Sequence, residues 1–448
     1  MRHHTLFNHL INIKNSKFWK SVSILVSGTT LSQLLGFLSM PIISRLYLPT
    51  DIGEKAIFLS TASILVYLVS LGLNSAVMIA DNEIESDGLV RVALISSFVL
   101  STFLLISSIA FSSIIQLFQT RVDYILACIL IYILILLNQL QSILSVMMNR
   151  RMINKALFLN SLITAISTFL IAVPLGLLGF GLFGLIASYI IAQIISIAQM
   201  LTRYNPFRRF EGDFSYIQIL KKYKKFVFFQ MPANFIGNLA VQLPTQIFSA
   251  RFGNDILASY TMDETILGIP SRLIANPINI IYFRTATELA KNNEFDRLSK
   301  FTFSLVMKIM AIGSIPIVVC ILWGEKLFGW FLGDVWSEAG TLAGYLIVPY
   351  VFSFGSTCVA YCRVVLGRMK INLFLGIVKV IIIALALYLG IQFTGNLIYT
   401  IRIYSISISI YFIFEMTMNF FIMKKYYLRY IIIAIFYIFL AILLWLIL

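Results

Sequence analysis

Apolar runs of about twenty residues, broken by short polar and basic stretches, recur along the entire chain. Hydropathy places spans at 21–46, 54–80, 90–118, 122–148, 154–176 and 180–201. A second set lies at 225–250, 256–283, 300–324, 339–362, 370–392 and 396–423. A further apolar run, Tyr430 to Leu448, follows as a thirteenth span. The longest basic loop, Thr202 to Lys225, separates the two sets and holds Pro206. The expected organisation is a polar N-terminal tail (1–20), a first lobe of six helices (21–201), a basic linker (202–224), a second lobe of six helices (225–423) and an extra C-terminal helix (424–448).

Two spans are too polar for plain lipid-facing helices. The first, Ser21 to Ser44, carries no charge yet holds Ser27, Thr29, Thr30, Ser32 and Gln33. Gly28 and Gly36 invite close helix contact, and Pro41 breaks the helix near its far end. A helix lining a watery cavity tolerates such residues, and one facing lipid needs none. The seventh span repeats the design. Each follows a basic cluster (Lys17, Lys20; Lys221, Lys222, Lys224, Lys225) and passes a glycine (Gly36; Gly237) and a proline (Pro41; Pro244). Each then exits at an arginine (Arg45; Arg251) with a glycine beyond (Gly53; Gly253). Internal repeats of this kind build many transporters, with the substrate site at the repeat interface. The expected fold class is therefore an all-α polytopic membrane protein with two pseudo-symmetric six-helix lobes.

The seventh span also carries Gln230, Asn234, Asn238, Gln242 and Gln246 at four-residue spacing, one slowly drifting polar stripe. The stripe is either interhelical glue, at about 0.6 kcal/mol per bond, or a cavity wall that hydrogen-bonds sugar hydroxyls.

Composition agrees with the spans: of 448 residues, 60% are hydrophobic and 12% charged. The +15 net charge follows membrane topology, with no nucleic-acid partner implied. Most lysines and arginines fall in the N-terminal tail and in the loops after even-numbered spans, which puts the N-terminus in the cytoplasm. The segment Asp81 to Arg91 (DNEIESDGLVR) is mostly acidic on that same side, an anomaly. His3, His4 and His9 all lie in the N-terminal tail, so no histidine relay or histidine catalysis is expected in the core. Cys128, Cys320, Cys358 and Cys362 read as small buried apolar residues. No metal and no cofactor is expected.

Charges at membrane depth are costly, about 2.5–3.5 kcal/mol each even on the gentlest scale. They are Asp263, Glu264, Arg272, Lys308, Lys379, Arg402 and Glu415. Arg402 lies near an outer end and Lys308 near an inner one, where both can snorkel. Arg272, between Pro270 and Pro277, sits closest to the midplane. Lys379 and Glu415 lie at one depth on adjacent spans and are expected to pair.

Together these features resemble the Wzx-type O-antigen and polysaccharide flippases of the multidrug/oligosaccharidyl-lipid/polysaccharide (MOP) exporter superfamily. The resemblance is carried by Gly28 to Gly53, GTTLSQLLGFLSMPIISRLYLPTDIG, by the seventh span with Phe252-Gly253 after Arg251, and by the helix pattern over essentially the whole chain. It implies two lobes around a cationic cavity, alternating access, and an undecaprenyl-diphosphate-linked oligosaccharide as cargo in a bacterial inner membrane. On that reading Arg272, Arg45, Lys379 and Lys308 are candidates for the diphosphate, and Gln230, Asn234, Asn238 and Gln242 for sugar hydroxyls. Partners implied are membrane lipids, a polysaccharide polymerase and a chain-length regulator. A second reading is a cation-coupled multidrug or metabolite antiporter of the same superfamily, using Asp263, Glu264 or Glu415 for coupling. A membrane polysaccharide polymerase is the distant third, disfavoured by short outer loops. No enzymatic activity is expected.

Overall fold

The computed structural model describes residues 17–110, 122–207, 216–368 and 370–446, the side chains of 17–28, 216 and 276 excepted. The three histidines, Arg121, Arg208 and Arg209 lie outside the described residues. Among the described residues every regular element is helical. Among the described residues eleven helical stretches, counting Asn254–Lys291 and Asp334–Val365 as one each, are long and apolar enough to cross a membrane, which makes this a multi-pass membrane protein. The helix of the seventh span is not among them, although it is 22 residues long, because of its polar stripe.

The elements in chain order are α1 (Lys17–Leu46), α2 (Pro49–Val69), α3 (Leu73–Met78), α4 (Glu83–Ala110), α5 (Tyr124–Arg150), α6 (Asn154–Leu177), α7 (Gly181–Leu201) and α8 (Tyr216–Lys222). A π-helical turn, Phe226–Gln230, leads into α9 (Met231–Phe252). Then come α10 (Asn254–Leu267), a second π turn (Ser271–Ala275), α11 (Asn276–Lys291), α12 (Phe295–Leu332) and α13 (Ser337–Cys358). The chain ends with α14 (Cys362–Val365), α15 (Lys370–Thr394), α16 (Leu397–Ile422) and α17 (Tyr427–Trp445).

Two expected spans are broken. The second splits into α2 and α3, because Leu71 and Gly72 take positive φ (51° and 70°). Gly72 is required there: a Cβ would lie 2.9 Å from the Phe226 carbonyl oxygen. The eighth span splits at Gly268 into α10 and α11. The third begins at Glu83, well before residue 90, because the acidic stretch caps its own helix. Asn82 Oδ1 accepts from Glu85 N at 2.7 Å, and Glu85 Oε2 accepts from Asp81 N at 3.0 Å. The carboxylates of the first turn also sit where the helix dipole favours negative charge.

The chain divides into two compact units. The first contains the described residues 17–39, 65–110, 124–207 and 216–232, the second 40–64, 122–123, 233–368 and 370–446. The boundaries thus fall inside α1, α2 and α9.

In the first unit, α3 is buried among α4, α5 and α8. Leu73, Leu89, Leu144, Met147 and Met200 are fully enclosed, and Ile219 and Tyr223 bring the linker helix into the same core. The acidic stretch is neutralised there. Arg150 donates to the carbonyls of Val77 (2.8 Å), Met78 (3.2 Å) and Ala80 (2.9 Å), closing the C-terminal end of α3. Arg151 pairs with Glu83 (2.9 Å) and Asp87 (3.2 Å), and Tyr204 donates to Asp87 at 2.8 Å. Lys222 bridges Asp81 (2.7 Å) and Glu85.

Hydrogen bonding to the Lys222 ammonium holds the Asp81 carboxyl below its ordinary value, and the same bond, with that to Glu85, holds Lys222 above its own. The Asp81 contribution is complete above an ordinary aspartate pKa of about 3.9 and is lost as pH falls through the lowered value. The Lys222 contribution is complete below about 10.4 and is lost as pH rises through the raised one. Being exposed, the clasp is also sensitive to salt. Limited proteolysis checks this: cleavage within 216–225 is expected to quicken in 0.5 M salt, at about a 4 Å screening length. Lys222→Met is expected to be cleaved at the fast rate in low salt too.

The second unit is packed through small residues, as expected where burial against lipid gives no driving force. In the antiparallel pair α12 and α13, Gly313 faces Val351, Gly324 faces Gly340 and Gly329 faces Ser337. A Cβ at Gly340 would overlap the backbone of Gly324. Gly390 of α15 likewise lies against Thr400 of α16. The last helix runs the full length of this unit. Lys425 and Asp296 pair at 2.6 Å beside its start, and Tyr426 stacks on Phe303 (4.7 Å between centroids). At its far end Trp445 Nε1 donates to the Gly344 carbonyl at 3.0 Å. Arg402 is held there rather than snorkelling, donating to Tyr345 Oη at 2.8 Å and to the Trp445 carbonyl at 3.4 Å.

Candidate functional site

Five helices of the second unit, α9, α10, α13, α15 and α16, line a partly open cavity of about 150 Å³. Its apolar wall comes from Val241, Leu346, Pro349, Ile383 and Ile408, among others. Its polar groups are Glu264, Lys379, Ser353, Tyr260, Tyr350 and Tyr404. A few polar groups converging inside an apolar shell is the usual form of a small-molecule site. Tyr260 and Tyr404 bring their hydroxyls to 3.4 Å, and the buried Phe248 packs on both rings (4.8 and 6.2 Å between centroids). Lys379 Nζ lies 5.4 Å from the Phe412 ring and 5.9 Å from the Tyr411 ring, within cation–π range. Glu264 is in electrostatic reach of both Lys379 and Arg272.

The expected salt bridge between Lys379 and Glu415 is not formed. Glu415 is taken by Arg363, whose Nη2 donates to Glu415 Oε1 at 2.8 Å, with Ser356 Oγ donating to Oε2 at 2.7 Å. The same guanidinium donates to Asn372 and, at 3.1 Å, to Asn419, and its side chain is only 7% exposed. The physical reason is α14: this short turn folds Arg363 inward against α16, although its position after the tenth span reads as loop. Lys379 is thereby left as the cationic member of the cavity.

The other candidate residues are dispersed. Arg45 donates to the carbonyls of Pro41 (2.8 Å), Phe331 (3.0 Å) and Trp330 (3.1 Å), closing the C-terminal end of α12. Ser44 and Trp336 tie the same corner together, Trp336 Nε1 donating to the Ser44 carbonyl at 3.0 Å. Lys308 is exposed on α12 and does not line the cavity. Arg272 folds back along its own helix to Thr265 and also lies outside the lining. Asp263 is fully buried, and neither of its carboxylate oxygens has a hydrogen-bond partner among the described residues. Successive helix residues point about 100° apart, so Glu264 can face the cavity while Asp263 faces the packed interior.

The polar stripe of α9 is partly glue. Ser63 Oγ donates to Asn238 Oδ1 at 3.3 Å, and Gln246 Nε2 donates to Ser60 (2.9 Å) and Thr61 (3.0 Å) of α2. None of Gln230, Asn234, Asn238 and Gln242 lines the cavity; α9 contributes Ala240 and Val241 instead. The three cavity tyrosines and Arg363 were not among the sequence candidates. Their signal was present in part, since tyrosines at positions 260, 350 and 404 sit well inside apolar spans rather than at the ends.

The comparisons with known proteins agree with this architecture. The fold is similar to that of the lipid II flippase MurJ in an inward closed conformation, with a TM-score of 0.68 at 15% identity, covering 94% of this chain and 97% of that one. It is also similar to an inward-facing multidrug resistance MATE transporter of the MOP superfamily, with a TM-score of 0.62 at 12% identity, covering 91% and 98%. The two-lobe helical fold of that superfamily is therefore the fold of this chain. In sequence, the chain is 24% identical over 269 residues to the succinoglycan biosynthesis transport protein ExoT of Rhizobium meliloti (strain 1021), a match covering 58% of this chain. The chain spans about half the length of that curated relative, 52%. The model of the polysaccharide biosynthesis protein family matches residues 42–341, two thirds of the chain, and the chain belongs to that family.

Proposed function

We propose that this protein carries undecaprenyl-diphosphate-linked oligosaccharide units across the bacterial inner membrane, from the cytoplasmic to the periplasmic face, by alternating access. The observation that carries the proposal is the cavity of the second unit, where Lys379 has lost its expected partner to Arg363 and stands beside hydroxyl-bearing tyrosines. A diphosphate and its sugars cannot cross hydrocarbon unaided, whereas the polyprenyl tail stays in lipid. The protein then supplies positive charge for an anionic group and hydrogen bonds for hydroxyls. Membership in a polysaccharide biosynthesis family supports this cargo class. In this reading the basic loops face the cytoplasm, and the product passes to a polymerase and a chain-length regulator.

The antiporter reading is favoured by one observation: a carboxylate, Glu264, among three tyrosines is also a setting for an organic cation. Lys379 in the same cavity opposes it. Thermal stabilisation of the purified full chain separates the two. A ligand at a hundred times its Kd adds about 2.7 kcal/mol to stability. Lipid-linked oligosaccharide is expected to raise the melting temperature and ethidium is not; the reverse order would favour the antiporter.

A further inference from the structure

The break between α10 and α11 holds an arrangement that the cavity alone does not explain. Pro270 lacks an N–H, so the Ile266 carbonyl has no regular helical donor, and the π turn Ser271–Ala275 shifts the register just beyond. Arg272 folds back over this break, its Nη2 donating to the Thr265 carbonyl. To reach it, the guanidinium lies across Gly268, where a Cβ would stand 2.7 Å from Nη1 and 3.2 Å from Cζ. The same Cβ would stand 2.7 Å from the Glu264 carbonyl oxygen. The bare face of Gly268 is therefore what admits the folded-back side chain. Arg272 is not fully engaged there, since its Nε is buried without a hydrogen-bond partner among the described residues. The guanidinium also lies within electrostatic reach of Glu264, which lines the cavity.

We propose that Arg272 is a two-position side chain and that Gly268 is its positioning residue: at rest the guanidinium clamps Thr265 across Gly268, and an anionic group of the cargo draws it off. The inference rests on the anionic-cargo reading above. Arg272 has five N–H donors in a planar fork suited to phosphate or carboxylate, and the clamp uses them poorly. Leaving Thr265 frees the helix break, so binding of an anion is coupled to loosening of the α10–α11 turn. The cost of leaving the clamp is set against the gain at the anion, which keeps binding reversible.

The test uses the full chain in detergent, with inorganic pyrophosphate and glucuronate as separate probes for the diphosphate and for an acidic sugar. Amide hydrogen exchange over residues 265–275 is expected to quicken on adding the effective probe to wild type, a measurement that needs no variant. Gly268→Ala, which pushes the guanidinium off the clamp, is expected to show fast exchange without probe and to bind the probe about three- to tenfold more tightly. Arg272→Met is expected to show fast exchange and no response to either probe. A merely structural glycine would quicken exchange and leave affinity unchanged or weaker. Unchanged exchange in wild type with both probes bound, or weaker binding by Gly268→Ala, would overturn the clamp. Normal clamp behaviour without lipid translocation would instead count against the transport reading alone.

Discussion

Replacing Arg363 by alanine is expected to cost about 3–5 kcal/mol of stability, the usual penalty for stranding one member of a buried ion pair. Among the described residues Glu415 would keep only the Ser356 hydroxyl as a donor, while its side chain is 12% exposed. Asn372 and Asn419 would each lose a partner as well. The double variant Arg363→Met with Glu415→Met is expected to recover most of the loss, because removing both charges also removes their desolvation. Unfolding of the purified protein in bicelles measures all three proteins. A cost of less than about 1 kcal/mol for the single variant would mean that Glu415 finds another partner or is uncharged.

The second large effect concerns transport rather than stability. Lys379→Met keeps most of the length of the side chain and removes its charge. If the ammonium binds an anionic group of the cargo, the loss is that of a charge-assisted hydrogen bond, about 1.5–3 kcal/mol, or roughly 10- to 150-fold in transport. Stability should hold or rise, since no carboxylate among the described residues lies within salt-bridge distance of Lys379 and the variant no longer buries a charge. Lys379→Arg should retain part of the activity, because charge persists while shape changes. Surface polysaccharide in a complemented deletion strain, normalised to protein in the membrane, gives the ratio.

The opposite outcomes expected at Arg363 and Lys379 show where sequence reasoning reaches its limit. Span by span, the helices were legible, because apolar runs of bilayer length have few alternatives. The unusual character of the seventh span was legible too, and its polar stripe does meet serines and a threonine of α2. Breaks at Gly72 and Gly268 were not, because hydropathy reads straight through two left-handed residues at Leu71 and Gly72 and through the π turn that follows Gly268. Lys379 and Glu415 were placed at one depth, but depth along a helix says nothing of direction around it. Arg363, counted as a loop residue, turns inward through α14 and takes the carboxylate. Tyr260, Tyr350 and Tyr404 escaped notice because tyrosine in a membrane helix is first read as an interfacial anchor. Only the meeting of five helices shows that they surround one cavity.

Translocation by the isolated protein tests the central claim most directly. The full chain would be reconstituted into phosphatidylethanolamine–phosphatidylglycerol vesicles carrying a fluorescent undecaprenyl-diphosphate-linked oligosaccharide. Transfer between leaflets would be followed by quenching from outside. The proposed mechanism predicts transfer well above protein-free vesicles for wild type, falling towards that background for Lys379→Met at equal protein content. Wild-type transfer no faster than in protein-free vesicles, or a Lys379→Met rate equal to wild type, would contradict it.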